Sequence, residues 1–436
     1  MRIIIWTLVL CLTTAAAHAS DKPDSASRWQ APFNTSTTTK TGGDSALTLD
    51  GALSLVAKEN PTLRALEYRV LAAQGQQKQA GLWPNPELGL EAEEVGWDAP
   101  GFNESELSVS LSQEFELFGQ RSARKNLARS QIVNVHLQTR LAAFDLYLET
   151  KARFFALVHA QQQLELAQRS VELAEQIVDN IMFRIEKGAA LQSELLLADL
   201  ELQRAQLALE RSQQEVSSAS AVLAALWGDS SANFSVSANT EPDFQDALNS
   251  VASLESQLDS TRSLLQLNQE TGILRAEASV AAAEARPPIT LSGGFKRLEG
   301  TNSNSFLLGI SLPLPLFNRN QGTRELLESE LRALEYTTRQ TRVETEADLQ
   351  SQVFRLKQLV QRHGRLDSLL LPTAENAYST LQDAYEAGRV PYTQLLEAER
   401  SLNELHFEHN DILLQIHAQV IAIERVTGIT IRIDEE

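Results

Sequence analysis

The chain has 436 residues, with 38 Lys and Arg against 57 Asp and Glu, which gives a formal net charge of −19. Such an acidic surface argues against nucleic acid and anionic lipid as partners. It would suit a passage for cations, although an acidic surface that only keeps a protein soluble would carry the same charge.

The N-terminus is typical of a secretory leader. Arg2 precedes an apolar run over residues 3–12, and Ala17-His18-Ala19 forms an A-x-A cleavage site. We predict a signal peptide over residues 1–19 and a polar, flexible segment over residues 20–46. The apolar run is about half as long as a membrane-spanning helix needs to be. Cys11 is the only cysteine and lies in the leader, so we expect no disulfide, thiolate metal site or lipid anchor.

An internal duplication organises the rest of the chain. Gly188 recurs as Gly388, about 200 residues later, and three other landmarks recur in the same order at about that offset. These are Pro84-Asn85-Pro86 with Pro287-Pro288, Leu117-Phe118 with Leu316-Phe317, and Leu226-Trp227-Gly228 with Val426-Thr427-Gly428. We predict two structural repeats, residues 47–228 and 245–430, each with a helix, a strand pair, a long helix and a return helix.

The helices are too long for an ordinary globular domain. An opening helix is predicted over residues 49–82, where Pro84 and Pro86 end it. The next helix follows Gly119 and meets no proline or glycine before Gly188, so it spans ~100 Å, and a return helix covers residues 189–228. The second repeat is predicted to have a long helix over residues 321–387 and a return helix over 391–427. Apolar residues at heptad spacing predict coiled-coil packing: Leu195, Leu202, Leu209, Val216 and Leu223.

Period-two alternation predicts a strand pair in each repeat, within residues 86–116 and 288–315. Leu88, Leu90 and Ala92 alternate with Glu91 and Glu93, for example. The lengths suit an outer-membrane barrel with one face in lipid and one in water, which would place Glu91 and Glu93 in the lumen. Two ordinary hairpins that cap a helical bundle would show the same alternation.

Four strands cannot close a barrel, and an open sheet edge in lipid leaves backbone groups without partners. Oligomerisation must therefore supply the missing strands, and three chains would give twelve. The predicted fold class is mainly α with a small β part: a tandem-repeat, long α-helical coiled-coil barrel with four transmembrane β-strands per chain, which form a 12-stranded barrel as a trimer.

Three segments, together with the repeat, resemble the TolC-type outer-membrane efflux family over roughly residues 47–430. They are the strand start at 85–88 (NPEL), the junction at 112–121 (SQEFELFGQR) and the segment at 385–399 (YEAGRVPYTQLLEAE). The resemblance implies a homotrimer, a barrel in outer-membrane lipid, a periplasmic tunnel, a periplasmic adaptor (membrane fusion) protein and an inner-membrane pump, often of the RND class. The first two segments are most similar to the outer-membrane component of cobalt–zinc–cadmium efflux systems.

By this resemblance, the turns at Gly188 and Gly388 form the periplasmic tip, and glycine suits a left-handed reversal of the chain. The residues expected at or near adaptor-docking grooves are apolar neighbours of these turns: Leu191, Leu195, Leu196, Val390, Tyr392, Leu395 and Leu396. Plain packing of the turns, without a partner, is the alternative. A lumen gate or cation ring is expected at Glu194, Gln394 and Glu397, where the glutamine departs from the acidic pattern; ordinary exposed helix residues are the alternative.

No cofactor is expected, and no phosphate loop, nucleophile elbow or zinc-protease motif is present, so an enzyme is not predicted. His406 and His409, at i and i+3 with Glu408 and His417 near, have a spacing that could bind a metal, but histidines on a coiled-coil face would look the same. The predicted function is a passive exit duct for divalent heavy-metal cations. The alternatives are a duct for organic toxins or drugs and a periplasmic coiled-coil scaffold outside any membrane.

Overall fold

The structure is a computed structural model that describes residues 46–93, 105–229, 234–237, 244, 248 and 258–431. The predicted signal peptide and almost all of the polar segment lie outside these residues. No helix in the described part of the chain is both long and apolar enough to cross a membrane.

Both halves of the chain have the same order of elements. The first half has α1 (Leu49–Glu59), α2 (Pro61–Ala80), β1 (Glu87–Glu93), β2 (Glu106–Phe115), α3 (Gln120–Glu186) and α4 (Gln192–Ala224). The second has α5 (Arg262–Glu284), β3 (Ile289–Leu298), β4 (Ser303–Ser311), α6 (Gln321–Arg365), a π-helical turn (Leu366–Leu370), α7 (Leu371–Glu386) and α8 (Tyr392–Thr427). The 67 residues of α3 extend for ~100 Å.

The opening helix of the first repeat is broken, and the prediction of one continuous helix over 49–82 was wrong. Pro61 has no N–H to continue α1, and Asn60 adopts an extended backbone. The Asn60 side chain caps α2 by accepting hydrogen bonds from the N–H groups of Thr62 (2.7 Å) and Leu63 (3.3 Å). Its amide donates to the carbonyl of Leu226 at 2.6 Å, which fixes the break against the end of the return helix.

The long helix of the second repeat is also interrupted, at the π-helical turn. Pro372 cannot donate to the carbonyl four residues earlier, so the α-helical ladder must change there. The hydroxyl of Ser368 donates to the Gly364 carbonyl (2.5 Å), and that of Thr373 to the Leu369 carbonyl (2.6 Å). The predicted uninterrupted helix over 321–387 is therefore two helices joined by a wider turn.

The four strands form one antiparallel sheet in the order β1-β2-β3-β4. The register places Leu90 opposite Val109, Val109 opposite Phe295, and Phe295 opposite Phe306. Because partners in a ladder share a face, most of the apolar residues of the four strands lie together on one side, with Leu298 and Leu307 on the other.

The helices of the two halves pack on each other along their length. α3 contacts α2, α4, α5 and α8, while α6 packs against α5 and α8. The Lys151 ammonium on α3 donates to the Glu424 carboxylate on α8 at 2.9 Å, and both side chains are buried. The backbone N–H of Ile431 also donates to Glu424 (2.7 Å), so this pair ties the end of the chain to the first repeat.

Candidate functional site: the helical turns and the sheet face

The turns after α3 and α7 have the same backbone structure. Gly188 and Gly388 have φ values of 68° and 69°, in the left-handed region, as predicted. In each turn the glycine N–H bonds three residues back, and the next residue's N–H bonds five residues back, to the carbonyls of Arg184 and Ala384 respectively. This is the Schellman arrangement, which uses the free carbonyls at the end of a helix.

A buried cluster fills the space between the two turns. It includes three of the residues that were predicted for docking. Tyr392, Leu395 and Leu396 are buried against residues of α3, α4 and α7. They cannot offer a docking surface, because their heptad positions on α8 point into the packing between helices. Leu195 and Val390 are partly buried at the margin of the same cluster.

The residue before α4 and the first turns of that helix instead carry exposed apolar side chains. Leu191 and Leu196 are 66% and 65% exposed, and Leu200 is 46% exposed one turn further along. Of the predicted docking residues, these two leucines remain as apolar surface within the described chain. A row of exposed leucines on one helix is a candidate surface for another protein.

Tyr385, on α7, joins the two turns. Its hydroxyl donates to the Glu194 carboxylate at 3.2 Å, and its backbone carbonyl accepts a hydrogen bond from Arg184 at 2.6 Å. The Arg184 guanidinium also lies over the Tyr385 ring, 4.3 Å from its centroid. Burial, with the Glu194 charge, raises the pKa of Tyr385 to about 12, so the hydroxyl keeps its proton. Sequence reasoning missed Tyr385 and Arg184, although Tyr378 and Tyr385 already showed heptad spacing.

A second polar group lies about two helical turns further along, between α4 and α8. Arg400 forms an ion pair with Glu201, which also binds Arg204 at 2.8 Å. Glu399 is buried beside this pair, and burial together with the negative charge of Glu201 raises the pKa of its carboxyl to about 7, despite the opposing effect of Arg400. No sequence pattern singled out these residues, because each would be an ordinary surface charge on an isolated helix.

The predicted gate residues lie in different environments. Glu194 is partly buried and holds the Tyr385 hydroxyl, whereas Gln394 and Glu397 are exposed on the first turns of α8. Glu194 therefore accepts a hydrogen bond within the protein, whereas Gln394 and Glu397 are exposed to solvent.

The two faces of the sheet differ sharply. The apolar face is exposed, and its members include Leu88, Leu90, Leu111, Phe306, Leu308 and Ile310. On the other face, Glu93 and Glu106 both pair with Lys296, the former at 3.0 Å. Glu91 lies exposed on that same face. One of the two predicted lumen carboxylates is thus neutralised by a lysine.

The junction at residues 112–121 has a structural role. Gln113 donates to the Pro84 carbonyl (2.9 Å), Arg121 to the Gly81 carbonyl (2.6 Å) and Gln120 to the Arg286 carbonyl (2.5 Å). These bonds tie β2 and the start of α3 to the chain that leaves α2 and α5. They fix the position of the sheet relative to the helices.

The predicted histidine group is rearranged. Glu408 binds Arg362 (3.0 Å), and His417 stacks on Phe155 with 3.7 Å between the ring centroids, so neither is placed to join His406 and His409. His409 instead faces His363 of α6, which was not part of that predicted group. Among the residues that the structure describes, no three His, Cys, Asp or Glu side chains are already grouped to hold an ion.

Comparison with known proteins assigns a family to this combination of a sheet, two similar halves and a ~100 Å helix. The family described as "Outer membrane efflux protein" matches residues 52–229 and 253–429. The chain belongs to the outer membrane efflux protein family. This confirms the resemblance found in the sequence and makes the chain an outer-membrane efflux component, not an enzyme.

Individual relatives extend the comparison. The cobalt-zinc-cadmium resistance protein CzcC of Cupriavidus metallidurans is 28% identical over 88% of this chain and 90% of its own length. The nickel-cobalt-cadmium resistance protein NccC of Alcaligenes xylosoxydans xylosoxydans is 24% identical over 60% of this chain and 59% of its own length. Among solved structures, CusC has a TM-score of 0.71 at 17% identity, covering 86% of this chain and 91% of CusC. That likeness confirms the predicted fold class, with a long helical part and a small sheet.

Proposed function

We propose that three copies of this chain form the outer-membrane exit channel of a tripartite efflux system, and that the channel passively conducts divalent heavy-metal cations. An inner-membrane pump of the RND type would supply the energy, and a periplasmic adaptor would join it to the channel. The channel is supported chiefly by the sheet. Its apolar face is exposed, and within the described residues the outer edges of β1 and β4 have no partner strand. Neighbouring copies would pair those edges and allow the apolar face to meet lipid.

The cargo is inferred from relatives and from charge. CzcC and NccC are both named for resistance to cobalt and cadmium, and CzcC matches nearly the whole chain. A net charge of −19 favours cations over anions in a narrow passage. Metal cations are therefore the cargo we propose, and organic toxins are the alternative.

The exposed leucines of α4 are the proposed docking surface for the adaptor. Gly188 and Gly388 set the shape of the tip, while Leu191 and Leu196 supply apolar contact. Replacing both leucines by serine should abolish resistance without loss of folded channel in the membrane. Leu207→Ser is the matched control, because Leu207 is equally exposed (66%) further along α4. Full resistance in the double variant would contradict docking at this surface.

Glu194, Gln394 and Glu397 are the proposed cation ring at the entrance. Repeated in three copies, even a few carboxylates would concentrate cations in a narrow pore. In planar bilayers, Glu397→Gln should lower the preference for cations and Gln394→Glu should raise it, while Glu210→Gln on α4 serves as a control. Equal cation selectivity in all variants would show that these residues do not line the narrow part of the pore.

Growth of a deletion strain tests the function as a whole. The strain is grown on graded zinc, cobalt, cadmium and copper, and in parallel on dyes and detergents, with complementation as the control. Selective sensitivity to metals is expected. Sensitivity only to the organic compounds would leave an exit duct for drugs, and recovery of the chain in the soluble periplasmic fraction would indicate a scaffold.

A further inference from the structure

Two histidines from different helices meet beside the π-helical turn. His363 lies near the end of α6 and His409 lies on α8, with 4.8 Å between their ring centroids and 34° between their planes. Two imidazoles that share one ion through N–metal bonds of about 2.0–2.1 Å have centroids separated by roughly this distance. The pair is therefore spaced as two ligands of one metal ion would be.

One nitrogen of this pair is buried without a hydrogen bond. The Nε2 atom of His409 is inaccessible to solvent and has no partner among the described residues. A buried polar atom without a partner costs about 1–3 kcal/mol, so simple packing gives no reason for a histidine here. A ligand that accepts its lone pair would satisfy the atom.

Two further potential donors lie on the neighbouring turns. Asp367 is exposed on the π-helical turn and acts electrostatically on both rings, and His406 lies one helical turn before His409. Phe244 packs edge-on against the His363 ring at 5.3 Å between centroids, which gives one side of the pair an apolar wall. An apolar wall of this kind limits access of water to a metal site.

The charge state also suits coordination. Burial lowers the pKa of both His363 and His409, the repulsion between them lowers that of His363 further, and His406 lowers that of His409. Asp367 opposes this effect in part. Neutral imidazoles have the free lone pair that a metal ion requires.

We propose that His363 and His409 are two ligands of a binding site for a divalent transition-metal ion, completed by Asp367, His406 or water when the ion binds. Imidazole donors suit Zn²⁺, Ni²⁺ and Cu²⁺ better than Mg²⁺ or Ca²⁺. Among the described residues no three ligands are grouped beforehand, so at least one further ligand must move toward the ion when it binds. The ion ties α6 to α8 at the π-helical turn. This site does not depend on the cargo proposed above.

Metal binding to the purified full chain tests the site. The untagged protein, freed of metal with a chelator, is titrated with Co²⁺ and followed by visible absorption. We expect about one ion per chain, and at least a tenfold loss of affinity in His363→Asn and in His409→Asn. His136→Asn, on the exposed face of α3, is the matched control and should bind as the unaltered chain does.

Two further measurements distinguish loss of the metal site from loss of folding. Helical circular dichroism shows whether each variant is folded, and Cu²⁺ electron paramagnetic resonance of the unaltered chain needs no variant at all. Nitrogen couplings from two imidazoles are expected. Absence of nitrogen ligands would overturn the site, and so would a folded His363→Asn/His409→Asn double variant that binds Co²⁺ as tightly as the unaltered chain does. Either result is separate from growth on metals, which tests the channel.

Discussion

The turn after α3 and the turn after α7 have the same backbone and opposite surroundings. Both end in a left-handed glycine with the same pair of hydrogen bonds. At equivalent positions beyond them, Leu196 is 65% exposed while Leu396 is 7% exposed. Gln192 faces solvent where Tyr392 is fully buried. Glycine therefore determines the shape of each turn, whereas the side chains beyond it differ: those of the second repeat pack between the two turns, and those of the first leave apolar surface exposed.

The largest expected effect is on the free energy of unfolding, and it should differ between the two equivalent leucines. Leu396→Ala should lower the free energy of unfolding by about 2–5 kcal/mol, because it leaves a cavity in the cluster between the turns. Leu196→Ala, with the same change of side chain, should stay within about 0.5 kcal/mol. Denaturant unfolding followed by helical circular dichroism measures both. Equal losses would show that the two turns are not packed differently.

The second effect depends on pH and on Glu399, which has a folded-state pKa of about 7. Between the ordinary carboxyl pKa of 4.5 and this value, the folded chain holds a proton that the unfolded chain has lost. Stability should therefore fall as pH rises through this window, by an amount on the order of 3 kcal/mol, and stay lower above it.

Unfolding of the Glu399→Gln variant across this range is the measurement. The variant should be more stable than the unaltered chain at pH above the window and should lose most of the pH dependence. Glu397→Gln, two residues earlier and exposed, is the control. If the control flattens the pH profile as much as Glu399→Gln does, the assignment to Glu399 is wrong.

A smaller effect concerns the hydroxyl of Tyr385. Tyr385→Phe removes the hydrogen bond to Glu194 and should cost about 1 kcal/mol, since the carboxylate is partly exposed and can turn to water. Tyr378→Phe, one heptad earlier on α7, should cost less because its hydroxyl has no such bond in the described structure. Unfolding of both variants under one set of conditions gives the comparison, and equal costs would deny the bond a role.

The smallest effect is that of the ion pair between Arg400 and Glu201. Arg400 is about half exposed, so Arg400→Ala should lower stability by at most about 1 kcal/mol, and less at high salt. The same variant should move the pH window of Glu399 upward, because Arg400 favours the charged carboxylate. A pH profile that does not move in this variant would contradict the coupling.

The sequence predicted much of the fold, for physical reasons that differ by element. The glycines at 188 and 388 and the alternation in the strands follow local rules, and the structure has the turns and the sheet that they predict. The break at Asn60-Pro61 and the π-helical turn before Pro372 followed local rules as well, but the long apolar periodicity around them hid both.

The rest depends on which helices pack together. The family resemblance grouped Tyr392 with Leu191 as docking residues, and the sequence alone does not say which of the two turns another helix covers. His363 and His409 are far apart in the chain and meet only through the packing of α6 on α8. The carboxyl of Glu399 is unusual because helix packing buries it and because α4 places Glu201 beside it.

Loss of cadmium from preloaded cells tests the central claim most directly. Cells that lack the chain, complemented cells and cells with the Leu191→Ser/Leu196→Ser variant are loaded with cadmium, washed, and followed by elemental analysis over time. We expect slow loss of cadmium without the chain, fast loss on complementation, and slow loss again in the Leu191→Ser/Leu196→Ser variant. Equal rates of loss with and without the chain would contradict an exit channel for heavy-metal cations.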